Sequence, residues 1–343
     1  AVMAIALPWL WLLSLEDTRL AHVRLGIFGF GGLAVSGYLL TAMRAWIGRD
    51  VPVPALALGF LALGARVAAL CAPEMIWPVL LPSLVIASAI LWPVLQARRW
   101  DKLLLAMIPL AMTAAEAALV QLRVTAAGLP IAMAAVIFAV GGRMVPAFLA
   151  EDRRRCKLKA QPEPAHWPGL ATLGVGLVLE GAAGAVALMA VPLWVMHSVR
   201  GGLRSRPASR MLCLGYAGLV PGLLGLPAAR AGLIPPHVEA HLLTMAAMGP
   251  MVLAVAARVA MRRSAGAELL PCRRHWGALW LVFSAAAVRG IAELAPQPEL
   301  WMTLAGIGWS AAWILFLSAH LAALAQPAPF PLLSAARMPQ AIS

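Results

Sequence analysis

Charge is scarce in this chain: only 12% of its 343 residues are Asp, Glu, Lys or Arg, about half the share of an average globular domain. That excludes most soluble classes, because a water-facing surface needs far more charge. Acidic residues are scarcer still, 14 against 27 basic ones, for a net charge of +13. The excess does not argue for nucleic acid, since the arginines sit in short blocks between apolar runs and are not spread over a soluble face. The four cysteines, Cys71, Cys156, Cys213 and Cys272, form no CxxC pair and no zinc-type spacing. A thiol redox motif, a structural zinc site and a disulfide framework are therefore not indicated. No phosphate-binding glycine loop, paired carboxylates or nucleophile beside a base is visible, so the chain leans away from being an enzyme.

What it has in abundance is apolar length. Hydrophobic residues make up 62% and the mean hydropathy is +0.85, so lipid is the solvent for most of the chain. Apolar runs fall at about 22 to 43, 51 to 71, 75 to 96, 102 to 121 and 126 to 149, each near one bilayer thickness. Further runs fall at about 168 to 181, 183 to 198, 209 to 229, 237 to 261, 275 to 292 and 299 to 323. The first run, Ala1 to Leu15, is short for a span, as in a chain lacking its true beginning. It has neither the basic n-region nor the cleavage site of a signal peptide. These runs predict an all-α polytopic bundle of about twelve spans, with residues 1–343 as a single transmembrane domain.

The basic blocks set the expected topology. They lie at 44–49, 98–102, 151–167, 200–210 and 262–274. If the segment 168–198 turns back at Glu180, all five fall on one side. The positive-inside rule makes that side cytoplasmic, with both chain ends there too, in a bacterial inner membrane. His22, His237 and His241 then share the outer leaflet, while His197, His275, His320 and Cys213 lie near the inner surface and His166 in a cytoplasmic loop. Close helix contacts are expected at Gly141-Gly142, at Gly174 and Gly176, and at Gly306 and Gly308.

Two features point to chemistry. The first is the helix HVEAHLLTMAAMGPMVLAVAARVAMRR, residues 237–263. Steps of about 100° per residue put His237, His241, Met245, Met248, Met251 and Val255 on one stripe, with Arg258 at its edge. Imidazole and thioether suit haem iron or a soft metal. Interfacial histidines and gap-filling methionines explain the same pattern without a ligand. The second feature is charge within spans: Arg66, Glu116, Arg143 and Arg289 each cost at least about 2.5–3.5 kcal/mol unless paired or solvated, so all should face inward. Arg289 has a local partner in Glu293 at i, i+4. Arg143, in Gly141-Gly142-Arg143-Met144-Val145-Pro146, has none nearby in sequence.

Several stretches together resemble the NnrS family. They are Gly29-Phe30, SGYLLTAMRAWIGR at 36–49, GGRMVPAF at 141–148, MLCLGYAGLVPGLL at 211–224, HLLTMAAMG at 241–249 and ARV at 257–259. The resemblance runs in order from His22 to the end of the chain. It implies a twelve-span bacterial inner-membrane protein that binds haem and copper and helps cells withstand nitric oxide.

The departures from the family's pattern are specific. The family's HAHEMLFGF reads HVRLGIFGF at 22–30, so His22 matches the first histidine while Arg24 and Leu25 replace the second histidine and the glutamate. Cys213 stands where LHLGY has its histidine, and Arg263 falls near the histidine of ARVSLGHTGR. His241 opens the stretch matching HALTVGAMG, and Arg143 and Arg258 match family arginines. The resemblance thus implies a haem site with His22 and His241 as axial or pocket residues. Met245 and Met248 would be its walls, and Arg143 or Arg258 the partners of a haem propionate. Copper binding is expected to be reduced or lost, because arginine is a permanent cation and cannot ligate one.

Three readings follow. The first is an NnrS-like haem-binding membrane protein, in contact with lipid and with no nucleic-acid partner. The second is a metal-free scaffold or accessory subunit of a larger membrane assembly. The third is a transporter, which lacks a visible inverted repeat or charges running through successive spans.

Overall fold

A computed structural model describes residues 1–13, 15, 17–48, 54–72, 75–157, 166–263 and 269–321. Helices account for nearly all of them. Every apolar run of the sequence becomes helical: α1 (Val2–Leu13), α2 (Thr18–Ile47), α3 (Ala55–Cys71), α4 (Trp77–Gln96), α5 (Trp100–Gln121) and α6 (Leu129–Arg155). After these come α7 (His166–Val178), α8 (Gly181–Ser198), α9 (Pro207–Arg230), α10 (Pro236–Arg258), α11 (Arg273–Ile291) and α12 (Pro298–Leu321). Eight helices among the described residues are long and apolar enough to cross a membrane. The other four, α1, α3, α7 and α11, are shorter or carry more charge. The protein is an all-α, multi-pass membrane protein; the one ladder among the described residues, Arg262–Arg263 against Leu269–Leu270, is two residues a side.

Backbone satisfaction explains the architecture, since only a helix or a closed barrel pairs its N–H and C=O groups without water. The outward faces are correspondingly apolar: Trp77, Trp92, Leu104, Val186 and Leu193 are all exposed. Such faces suit lipid contact.

The chain divides into two compact units, Ala1–Ala126 and Ala127–Phe330. In the first, Leu39 and Met43 of α2 pack with Ala62 of α3, Ile86, Ile90 and Val94 of α4 and Ala106 of α5. Helix α5 has a turn at Met107, just before Pro109, which lacks the N–H needed to continue the ladder.

In the second unit, the segment 168–198 does turn back at Glu180. Glu180 has an extended backbone and Gly181 adopts a left-handed φ of +63°, a conformation that glycine takes at little cost. Arg230, at the end of α9, secures the turn. Its Nη1 donates to the carbonyl of Gly176 at 2.5 Å and its Nη2 to that of Leu177 at 2.7 Å, supplying partners to orphan carbonyls at the end of α7. Around Gly141 and Gly142 of α6 the helices close in as expected: a Cβ at Gly141 would overlap the Tyr216 ring, and one at Gly142 would lie 3.1 Å from both His166 Cβ and the Tyr216 hydroxyl. The same is true of Gly176, where a Cβ would lie 2.8 Å from Leu188 Cγ. Gly174 differs, because a Cβ there meets nothing within 4 Å. It lies on a different face of α7 from Gly176, so the two do not form one close-packing seam.

Candidate functional site

His241 stands directly before a π-helical segment, and His22 stands one residue short of another. His22 closes the first turns of α2 and is half-buried; the backbone from Arg24 to Gly31 is then π-helical. His241 closes the first turns of α10, and Leu242 to Met248 is π-helical. A π segment replaces i→i+4 bonds by i→i+5 bonds, and such segments concentrate at functional sites. In α10 a local cause is visible. Pro250 lacks the N–H that would bond the carbonyl of Ala246 four residues earlier, and Gly218 of α9, having no Cβ, packs directly against that carbonyl. His22 belongs to the first unit and His241 to the second.

The imidazole of His241 is oriented by its own helix. Its Nδ1 lies 2.7 Å from the carbonyl oxygen of His237. A carbonyl only accepts, so Nδ1 carries the proton and Nε2 the lone pair. Metal-ligating histidines commonly show this arrangement, with one nitrogen fixed by a carbonyl and the other turned to the ion. A plain helical back-bond gives it as well, as at His320, whose Nδ1 lies 2.9 Å from the Phe316 carbonyl.

The methionine stripe expected from 100° steps does not run straight through α10. The wider π turn rotates everything beyond it, so Met248 and Met251 are buried at 3% and 4% exposure whereas Met245 is only half-buried. His237, at the start of the stripe, turns to an ion pair: its Nε2 lies 3.1 Å from Glu293 Oε1, which also accepts from Arg289 Nη1 at 3.1 Å. The pairing of Arg289 with Glu293 is the one its spacing indicates. Glu293 sits between α11 and α12. Partial burial raises its pKa, but the hydrogen bond from Arg289 and the attraction of His237 outweigh this and hold the carboxyl below its ordinary value.

The arginines separate. Arg258 is buried in α10 with its Cζ 4.1 Å from the Phe148 ring centroid of α6, a cation–π contact. Arg143, expected to face inward, is exposed. Gly142 and Met144 on either side of it point into the packed face, so the helical phase carries Arg143 off that face. Cys213 is buried beneath Gly202, where a Cβ would come within 2.5 Å of its Sγ. It packs as a small apolar group. The Arg263 side chain and residues 158–165 of the 151–167 block lie outside the described residues.

A second set of buried charges brings together residues that the sequence showed only singly. In the first unit Arg24 of α2 and Arg66 of α3 converge on Glu116 of α5. Arg24 Nε lies 3.2 Å and Arg66 Nη1 2.5 Å from the same oxygen, Oε1. Arg66 Nη2 also donates to the Phe28 carbonyl at 3.3 Å. Glu116, Arg24 and Arg66 are 2%, 3% and 7% exposed. Arg66 and Glu116 thus face inward as expected, and Arg24, standing where the family pattern has a histidine, has become part of an ion-pair cluster. The signal lay in three charged residues on three apolar helices, but nothing in their spacing says that they meet.

Among the described residues no three His, Cys, Asp or Glu side chains converge as a metal would require. Around His22 the fit to copper is poor: two and three residues further on stand Arg24, held by Glu116, and the buried apolar Leu25. The histidines themselves still suit a haem iron, which asks for one or two axial ligands and not a cluster.

No curated protein and no solved structure matches the chain. A family model, described as NnrS protein, does match it, over residues 1–328. That span takes in both units and both histidine-to-π-helix junctions. The chain belongs to the NnrS family.

Proposed function

We propose that this NnrS-like membrane protein binds haem, with His22 and His241 as its axial or pocket ligands, and serves the bacterial response to nitric oxide. The observation that supports the reading is the one the two residues share: each lies within two residues of the start of a π-helical segment. The Nδ1–H tautomer of His241 adds to it, because it leaves the lone pair on Nε2. Met248 and the half-buried Met245 would flank the group, and Arg143, exposed on α6, would pair with a propionate. Haem iron would supply a site for a diatomic ligand; the chain's own part is to orient the imidazoles. We assign no copper role to the region of His22, where Arg24 cannot ligate a cation. The location is a bacterial inner membrane, with the basic loops and both ends on the cytoplasmic side.

A second reading is a metal-free scaffold or accessory subunit that associates with other membrane proteins. It is favoured by one observation: Arg24, Arg258 and His237 are all held by neighbours within their own unit, by Glu116, Phe148 and Glu293 respectively.

Reduced-minus-oxidised spectra of the purified protein decide between the two. The haem reading expects a Soret band in the wild type that is lost in the double variant His22→Ala, His241→Ala. A band unchanged in the double variant removes both residues from the site. A colourless wild type that co-purifies with a stoichiometric membrane partner supports the scaffold.

A further inference from the structure

We propose that the first unit holds a small monovalent inorganic anion, of the size of chloride, beside the Arg24–Glu116–Arg66 cluster. A cavity of about 40 Å³ opens there between α2, α3, α4 and α5, and its polar wall is made by Arg66, Glu116, Ser36, Ser83 and Thr113. The rest of the wall is apolar. By the criterion that one water needs about 10–15 Å³, the space takes roughly three water-sized groups. A monatomic or triatomic ion fits, and a carboxylate metabolite does not.

The sign of the occupant follows from the donors. Arg66 carries five N–H groups. Its bonds to Glu116 and to the Phe28 carbonyl engage Nη1 and Nη2 through one contact each. Ser36 on α2 and Ser83 on α4 line the same space, and each carries a hydroxyl able to donate. Thr113 does not add to them, because its proton goes to the Pro109 carbonyl at 2.8 Å. Glu116 contributes the only carboxylate of the wall, and its Oε1 already accepts from both guanidiniums. A cation entering here would have to compete with two arginines for that oxygen. An anion would meet a guanidinium and two hydroxyls in surroundings where charge–hydrogen-bond contacts are stronger than in water. This site stands apart from the haem reading, since it uses neither His22 nor His241.

The test is the melting temperature of the full-length protein in detergent, titrated with sodium chloride against sodium gluconate at constant ionic strength. A saturable rise with chloride and none with gluconate is expected, because gluconate is too large for the cavity. Ser36→Ala and Ser83→Ala keep the fold while each removes a donor, and each should weaken the apparent chloride affinity about tenfold, the loss of one hydrogen bond to a charged group. Arg66→Gln should abolish the response if it folds; the two serine variants decide if it does not. Equal stabilisation by both salts, or chloride affinity unchanged in both serine variants, would overturn the proposal.

Discussion

Replacing Glu116 by glutamine should cost this protein about 3–5 kcal/mol. The carboxylate is 2% exposed and takes two charged hydrogen bonds on one oxygen, at 2.5 Å from Arg66 and 3.2 Å from Arg24. Hydrogen bonds to charged groups contribute about 1.5–3 kcal/mol each. Removing one partner of a buried pair typically costs about 3–5 kcal/mol, because the opposing charge stays buried without compensation. Glutamine keeps the size of the side chain, so any loss reports charge and not a cavity. Thermal unfolding in detergent, followed by tryptophan fluorescence, reads the change. A triple variant, Arg24→Leu, Arg66→Leu and Glu116→Leu, should recover most of the loss, since well-packed apolar groups often replace a buried ion cluster at little cost. If Glu116→Gln melts within about 0.5 kcal/mol of the wild type, the usual scatter for a surface substitution, the three charges do not hold the first unit together.

Other parts of the fold give separate tests. Gly141→Ala drives a methyl into the Tyr216 ring and should destabilise by about 1–3 kcal/mol, whereas Gly174→Ala, with nothing within 4 Å, should be neutral or slightly stabilising in the same melt. Arg230→Ala strips the carbonyl partners from the end of α7. Its site is partly exposed, so about 1–2 kcal/mol is expected, and limited proteolysis near Glu180 should speed up. Glu293 has its folded pKa held below the ordinary 4.5 by Arg289 and His237. Its stabilisation is therefore present above that value and disappears as the pH falls through the lower folded pKa. The difference in melting temperature between wild type and Glu293→Gln should persist down to about pH 4.5 and vanish only below it; a difference already gone at pH 6 would contradict the pairing.

The helices were legible because lipid imposes a length: each apolar run in the sequence is helical, and even the hard case at 168–198 was resolved by the charge of its flanking loops. What the sequence hid was phase and partnership. The stripe from His237 to Met251 assumes one uniform step, but Pro250 frees the Ala246 carbonyl and the backbone before it widens into π turns. Arg143 was expected to face inward as every intramembrane charge should, yet its neighbours Gly142 and Met144 take the packed face. Arg24, Arg66 and Glu116 were each conspicuous as charges in or at apolar helices. Their meeting is a matter of tertiary packing between residues 50 and 92 positions apart, which no local period encodes. His241 was legible from the helical stripe and His22 from the family's motif, and the π segments beside them had no sequence signal beyond the glycines and Pro250.

The most direct measurement is the pigment and metal content of the protein purified from its membrane without added haem. About one haem per chain, with its absorbance lost when His22 and His241 are both replaced and the fold kept, is the predicted result. A correctly folded wild type carrying no tetrapyrrole would contradict it.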